Sequence, residues 1–402
     1  MDSPMMMAES QTLLNAQISF LDTHIALIHI PMSAYSHFLQ PIAQLLLHNT
    51  NLDAEGDPIE PKKPWEYWHP LVNISIAHDE CSIACPRDQA DDLFMPVIAG
   101  LRPDLQKSVT VSRDDYSAIV IGGEGLDAGQ RVLDLSSPLA LAKIPIFFIT
   151  SYWSDFILVP LKARATVIHA LEDRGFLFES DSEDPNGFGA STMTNPASPL
   201  LHPNHRNGSS MSSFDFPPQP PSTPPPATVS ELQLRTFALL KTHSITPHVD
   251  PDIQLVTCAG IKDSTPSSEP TQSILQHALL TTLTSPSAPP TVLSLTLTAT
   301  DSPSLTLESS LLPIFPDTVL LGKEGPVQVP ITLDLSQLPL QSTGIVCGVA
   351  AGLVGGMKGK IGMGGAPGFE MSYLSTARAG HVIVYEEELE DAVEVLRGLG
   401  KE

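Results

Sequence analysis

Apolar residues recur along this chain with two periods, and the periods alternate. Runs with period 2, "IALIHIP" (25–31) and "IQLVTCA" (253–259), are each followed by i, i+3, i+4 spacing in "SAYSHFLQPIAQLLL" and "SILQHALLTTL". Period 2 predicts strands and the second spacing predicts helices. Two alternating strands joined by a short polar turn, then a brief amphipathic segment, follow in "LVNISIAHDECSIACPRDQADDLF" (71–94) and again in "VLSLTLTATDSPSLTLESSLLPIF" (292–315). Later in each half, "FFITSYWSDFILVPLKARATVIHAL" and "SYLSTARAGHVIVYEEELEDAVEVL" read strand, turn, strand, turn, helix at an offset of 225 residues, which matches Ile149 with Leu374 and Asp155 with Gly380. Upstream, "AGQRVLDLSSPL" matches "TGIVCGVAAGL" at an offset of 215, pairing Gly129 with Gly344. The difference locates an insertion in "GGMKGKIGMGGAPGF". The chain thus reads as four βαββα(β) units, an α+β arrangement of sheets with helices on one face.

The pattern lapses from 181 to 229, where Pro, Ser, Asn and Gly dominate. Such a stretch buries too little apolar surface to offset its ordering entropy and reads as a disordered linker. The expected boundaries are a flexible N-terminus at 1–17 and units at 18–110, 111–180, 230–325 and 326–402, with the glycine insertion near 355–368 in the last. About fifty linker residues also make swapped pairing of halves in a homodimer geometrically feasible.

Charge narrows the functional classes. A formal net charge of -24 argues against nucleic acid and against an anionic membrane surface. The longest apolar runs fall far short of the roughly 20 residues a membrane helix needs, and an acid stands where a signal peptide would carry positive charge. Four cysteines are too few for a disulfide scaffold. Cys81 and Cys85 would lie about 13 Å apart on a strand, beyond disulfide reach. The expectation is a cytoplasmic protein.

The chemical motifs fail one by one. "GGEGLDAG" (122–129) spaces its glycines as G-x-G-x-x-x-G and not as a dinucleotide fingerprint, and the strands that follow are joined too closely for parallel βαβ topology. A P-loop in the later glycine run would need Gly where Val354 stands and Ser or Thr at Ile361. "HDEC" lacks the P-C-x-x-C partner of a zinc deaminase, so His78 and Asp79 read as a hairpin turn. His202 and His205 fall in the linker, and no G-x-S-x-G elbow is present. No catalytic residue, metal site or cofactor is expected.

"PLALAKIPIFFITSYWSDFILV" and its partner "STGIVCGVAAGL…MSYLSTARAGHVIV" resemble the ACT domains of the CASTOR family, cytosolic arginine sensors upstream of the TOR kinase complex. More distantly they resemble the regulatory ACT tandem of aspartate kinases. The likeness covers nearly the whole chain outside the linker, the first residues and the glycine insertion, and is strongest over 116–178. It implies a non-catalytic amino-acid sensor whose ligand sits between the second and fourth units. There, helix N-terminal N–H groups take a carboxylate and acids take the amine.

Carried over by position, the site comprises Gly344, Ile345 and Val346 of "QSTGIV", Ser375 and Thr376 of "LSTARAG", and Gly125 and Leu126 facing them. Ser342 and Gly380 stand where the family has acids. Loss of both carboxylates would cost a bound guanidinium several kcal/mol, about a thousandfold in affinity. A smaller or neutral amino acid is therefore expected rather than arginine. Within "YWSD", Tyr152 and Asp155 match a motif that contacts the downstream GATOR complex, and Trp153 departs from it. Aromatic anchors favour a docking role for the three. A scaffold whose pocket has decayed is the alternative, favoured by the missing acids.

Overall fold

In the computed structural model the alternating runs are strands and the 3.6-period runs are helices. The structure describes residues 17–47, 70–77, 79–122, 128–178, 226–261, 269–285, 289–339, 342–358 and 369–398. The linker as far as 225, the turn at His78, the glycines at 123–127 with Gly125 and Leu126, and the glycine insertion from 359 to 368 fall outside the described residues.

The chain opens with β1 (Gln17–Phe20) and β2 (Ile25–Pro31), then passes through a 3-10 turn into α1 (Leu39–Leu47). Strands β3 (Val72–Ala77) and β4 (Glu80–Pro86) follow, then the short helices α2 (Arg87–Gln89), α3 (Met95–Gly100) and α4 (Pro103–Ser108), and β5 (Thr110–Val111). Next come β6 (Tyr116–Gly122), α5 (Ala128–Leu141), β7 (Phe147–Thr150), β8 (Asp155–Pro160) and α6 (Arg164–Glu172). The second half starts with α7 (Val229–Thr242) and β9 (His248–Val249). It continues through β10 (Leu255–Gly260), α8 (Glu269–Thr284), β11 (Leu293–Leu297), β12 (Ser304–Glu308) and β13 (Leu320–Leu321). Last are β14 (Gln328–Asp334), α9 (Ile345–Lys358), β15 (Met371–Ser375), β16 (Ala379–Tyr385) and α10 (Leu389–Gly398).

Four antiparallel groups share one strand order, the 4-1-3-2 order of a ferredoxin-like layer. They run β5-β2-β4-β3, β1-β6-β8-β7, β13-β10-β12-β11 and β9-β14-β16-β15. Two of the fourth strands come from an unexpected place. Residues 18–20, expected in the first unit, and Gln17, expected in the flexible N-terminus, form β1 on the outer edge of β6. Likewise α7 and β9, expected in the third unit, lie on α9 and β14 of the fourth group. The reason is local: only four residues separate β1 from β2, and β2 pairs with β6 at Ile25–Tyr116, so the preceding strand falls beside β6.

The repeat predicts ferredoxin-like ACT units (βαββαβ) in two tandem halves, and in the structure those halves interlock group by group. The first group pairs with the third through β3 and β11, and the second pairs with the fourth through β7 and β15. Each half thus supplies an edge strand whose unpaired backbone groups the other half satisfies. Both junctions are centred on equivalent residues of the repeat, Ile149 against Leu374 and Ile74 against Leu295, so each is a pseudo-dyad. Single pairs at Ile25–Tyr116 and Leu255–Gln328 close the groups into one ring of twelve strands.

Two large cores follow this pairing. One joins the first and third groups with α1 and α8, and the other joins the second and fourth with α5, α6, α7, α9 and α10. Strands β3, β4 and β8 are buried along their whole length. Val72, Ile74 and Ile76 of β3 lie in the core with α1 and α8, Phe156 and Leu158 of β8 pack in a third cluster of strand residues, and Asn73 and Ser75 form a polar ladder with β11. There Asn73 Nδ2 donates to Ser294 Oγ at 3.2 Å and Thr296 Oγ1 at 3.1 Å, and Ser75 Oγ donates to Asn73 Oδ1 at 2.7 Å. Such cross-strand pairs satisfy buried polar groups that would otherwise be costly. All four cysteines are buried free thiols.

Candidate functional site

The residues expected to bind a ligand begin at the entry to α9. Gly344 has φ +83°, a conformation that glycine adopts without strain, and its carbonyl accepts from Gly348 N at 2.8 Å to start the helix. Ile345 and Val346 are buried in the α5–α9 core, and Ser342 lies at the margin. Between this entry and Ser136, Ala140 and Ile144 of the α5 end is a cavity of about 30 Å³. That is room for a water or two, whereas small-molecule pockets run from about 300 Å³ upward. Cys347 at its wall has its thiol pushed up to about 12 by burial, so it is a neutral packing residue.

Helix α7 seals the crevice, which the sequence reading did not foresee. Its start at the end of the proline-rich segment is set by a T-x-x-E cap: Glu231 N donates to Thr228 Oγ1 at 3.2 Å, and Glu231 Oε2 accepts from Ala227 N at 2.8 Å. From there Leu232 covers Gly344 so closely that an added Cβ would sit 3.0 Å from it. Thr236 Oγ1 donates to the Gly344 carbonyl at 3.3 Å, and at Gly348 an added Cβ would meet Thr236 at 2.3 Å. A glycine there is what lets the two helices approach.

The strand-end residues are engaged in structural hydrogen bonds. Ser375 Oγ accepts from Phe148 N at 2.9 Å, and across the pseudo-dyad Thr150 Oγ1 accepts from Tyr373 N at 3.1 Å. Thr376, 4% exposed, donates from Oγ1 to Glu80 Oε1 at 2.5 Å and accepts from Ala379 N at 3.2 Å. Arg378 N donates to the same Glu80 oxygen at 3.1 Å, and His29 Nδ1 stands 2.6 Å from the other. Burial pushes the Glu80 carboxyl up, but the hydrogen bonds from His29, Thr376 and Arg378 outweigh it and hold it below the usual range. At Gly380 an added Cβ would lie 2.4 Å from the hydroxyl of Tyr373, which is wholly buried. The space beside the Gly380 backbone is therefore occupied by a tyrosine from the neighbouring strand.

The expected docking residues divide. Tyr152 and Trp153 are 39% and 45% exposed, with ring centroids 4.8 Å apart. Their turn is held by Ser151 N to Ser154 O at 3.0 Å and by Tyr152 N to Ser304 Oγ at 2.7 Å. Asp155 is instead 1% exposed and ion-paired with Arg131 of α5, so it holds the hairpin and offers no contact surface. Glu80, Tyr373, Arg131 and α7 were missed because each acts through a distant part of the chain. Only the T-x-x-E cap left a local signal.

Among the described residues, no group of three or more His, Cys, Asp or Glu could hold a metal ion, and no helix is long and apolar enough to cross a membrane.

Comparison with known proteins agrees with this picture for one group. Residues 111–173 match the ACT domain family, so the second group is an ACT domain, a type of regulatory, small-ligand-binding module. No curated protein matches the chain. Among solved structures, aspartate kinase from Synechocystis is 12% identical, covering 96% of this chain and 56% of that one, with a TM-score of 0.30. The regulatory subunit of aspartate kinase from Thermus thermophilus is 13% identical over 39% of this chain and 95% of its own, with a TM-score of 0.25. Protein Atu0741 from Agrobacterium tumefaciens is 20% identical over 41% and 94%, also at 0.25.

Proposed function

We propose that this chain is a non-catalytic, cytoplasmic regulatory protein of four ACT units that senses a small neutral amino acid in the crevice between α5 and α9. The observation that carries the reading is the ACT match of residues 111–173, on a group joined at a pseudo-dyad to a second group of the same topology. On this reading Gly344, Ile345 and Val346 take the ligand's carboxylate end, Ser342 faces its amine end, and α7 must lift to admit it. The resemblance to CASTOR sensors extends the proposal to signalling upstream of a TOR kinase complex, with Tyr152 and Trp153 as the anchor for a GATOR-like partner. The 30 Å³ crevice and the tyrosine at Gly380 favour a second reading, a scaffold that keeps the ACT architecture without the ligand.

Thermal unfolding with each of the twenty amino acids separates the two. A ligand at a hundredfold excess over its Kd stabilises by about 2.7 kcal/mol. A sensor shows that rise for one or a few neutral amino acids and loses it in Ser342→Tyr, which blocks the crevice mouth. Silence across the panel sinks the sensor and leaves the scaffold.

A further inference from the structure

A larger space lies elsewhere, where the first, third and fourth groups meet. Its volume is about 300 Å³, ten times that of the α5–α9 crevice and enough for a small metabolite. The walls are apolar: Ile76 of β3, Ile253 before β10, Val292 before β11 and Pro330 of β14. Two carboxylates also line it, Asp79 from the β3–β4 turn and Asp250 just after β9, and His248 stands beside them. Among the described residues, none that lines it is a lysine or arginine, and neither aspartate is ion-paired to another described residue. Thr332 contributes the one hydroxyl from β14, but its Oγ1 is already bonded to His381 Nδ1 at 3.0 Å.

We propose that this cavity is a second ligand site, and that it takes a small organic cation: a primary ammonium group on an apolar body. Two carboxylates, with no lysine or arginine among the described residues of the lining, attract an ammonium and repel a carboxylate. The apolar walls reward a hydrocarbon body, and the net charge of -24 raises the local concentration of cations. The same charges discriminate against an intact amino acid, whose own carboxylate would face Asp79 and Asp250. The ligand class is therefore the decarboxylated counterpart of an apolar amino acid. The site shares no residue with the α5–α9 crevice and does not rest on the reading given for that crevice.

Calorimetric titration of the full chain tests this with 3-methylbutylamine and 2-phenylethylamine as probes, and with leucine and phenylalanine as their zwitterionic counterparts. The amines are expected to bind with a Kd of about 1 mM or tighter and the amino acids at least about tenfold more weakly. Asp79→Asn and Asp250→Asn should each weaken the amines by about five- to tenfold. Asparagine can still accept at the turn where Asp250 Oδ1 takes Asp252 N at 3.0 Å, so an unchanged melting temperature without ligand marks an intact fold. Ser342→Tyr should leave amine binding unchanged, which separates this site from the crevice. No heat from either amine at about 10 mM, equal binding of leucine and its amine, or indifference to both aspartate variants would each overturn the proposal.

Discussion

Replacing Arg131 by methionine should destabilise the protein strongly, and more so at higher pH. Asp155 has no side-chain exposure, whereas Arg131 keeps 23% of its own, and the two form the ion pair that ties β8 to α5. Removing the arginine strands a carboxylate in the core with only a polar contact to Thr150, and breaking such a pair costs about 3–5 kcal/mol. The remaining Thr150 contact puts the expected loss near the lower end, about 3 kcal/mol. Asp155→Asn should cost less, about 1 kcal/mol, because the freed guanidinium can still reach water. The pH dependence has a definite sign. Burial already pushes the Asp155 carboxyl up, with Arg131 and Thr150 pulling it back. A carboxyl whose folded pKa exceeds its unfolded one binds its proton more tightly when folded, so stability falls as pH rises through that window. Deleting Arg131 leaves only Thr150 to oppose the upward push and extends the window. Urea denaturation at pH 5 and pH 7.5, read as midpoints at constant slope, measures both effects. A loss under about 1 kcal/mol at pH 7.5, or equal losses at the two pH values, would refute the reasoning.

Three further outcomes follow from single sites. Burial, then Glu387 and Glu370, pushes the Glu388 carboxyl up to about 7, so Glu388→Gln should raise the melting temperature at pH 8 and leave it unchanged at pH 4, where the wild-type group is already protonated. Gly380→Asp, which places an acid where the CASTOR sensors carry one, should cost more than about 3 kcal/mol in urea and create no arginine binding by calorimetry, because its Cβ would press on the buried Tyr373 hydroxyl. Tyr35 Oη donates to the Leu283 carbonyl at 2.6 Å between α1's leading turn and α8; Tyr35→Phe should cost about 1–2 kcal/mol by the same denaturation, and no loss would show that water replaces the bond.

What the sequence made legible was local. Strands of period 2 and helices of period 3.6 depend on neighbouring residues, so "IALIHIP" and "SILQHALLTTL" announce β2 and α8 unaided. The repeat offset of 225 went further, since it picks out Ile149 and Leu374, which meet at the β7–β15 junction. Hidden were the features that depend on which distant parts come together. Nothing in "QISF" says that β1 completes the sheet of β6, and nothing in "YWSD" says that Asp155 turns inward to Arg131 while Tyr152 and Trp153 stay out. The site suffered most: the hydroxyls of Ser375 and Thr376 are engaged by Phe148 and Glu80, residues 227 and 296 positions away.

A pseudo-dyad between the second and fourth groups implies two equivalent crevices, one at the entry of each long helix. Gly344 at α9 has its counterpart in Gly129 at α5, and both are closed, by different means. An added Cβ on Gly344 would meet Leu232 of α7 at 3.0 Å, while one on Gly129 would meet the Phe369 carbonyl at 2.8 Å, just before β15. The two blocks are not equivalent in kind. Phe369 stands two residues before β15 of the fourth group itself, whereas α7 is a separate helix whose start lies at the end of the proline-rich segment. Symmetry is therefore broken: Gly129 is covered from within the fourth group, and Gly344 is covered by α7. Any amino-acid response of this layer has to pass through the contacts of Leu232 and Thr236 with α9, while the cavity beside Asp79 and Asp250 is open without such a step.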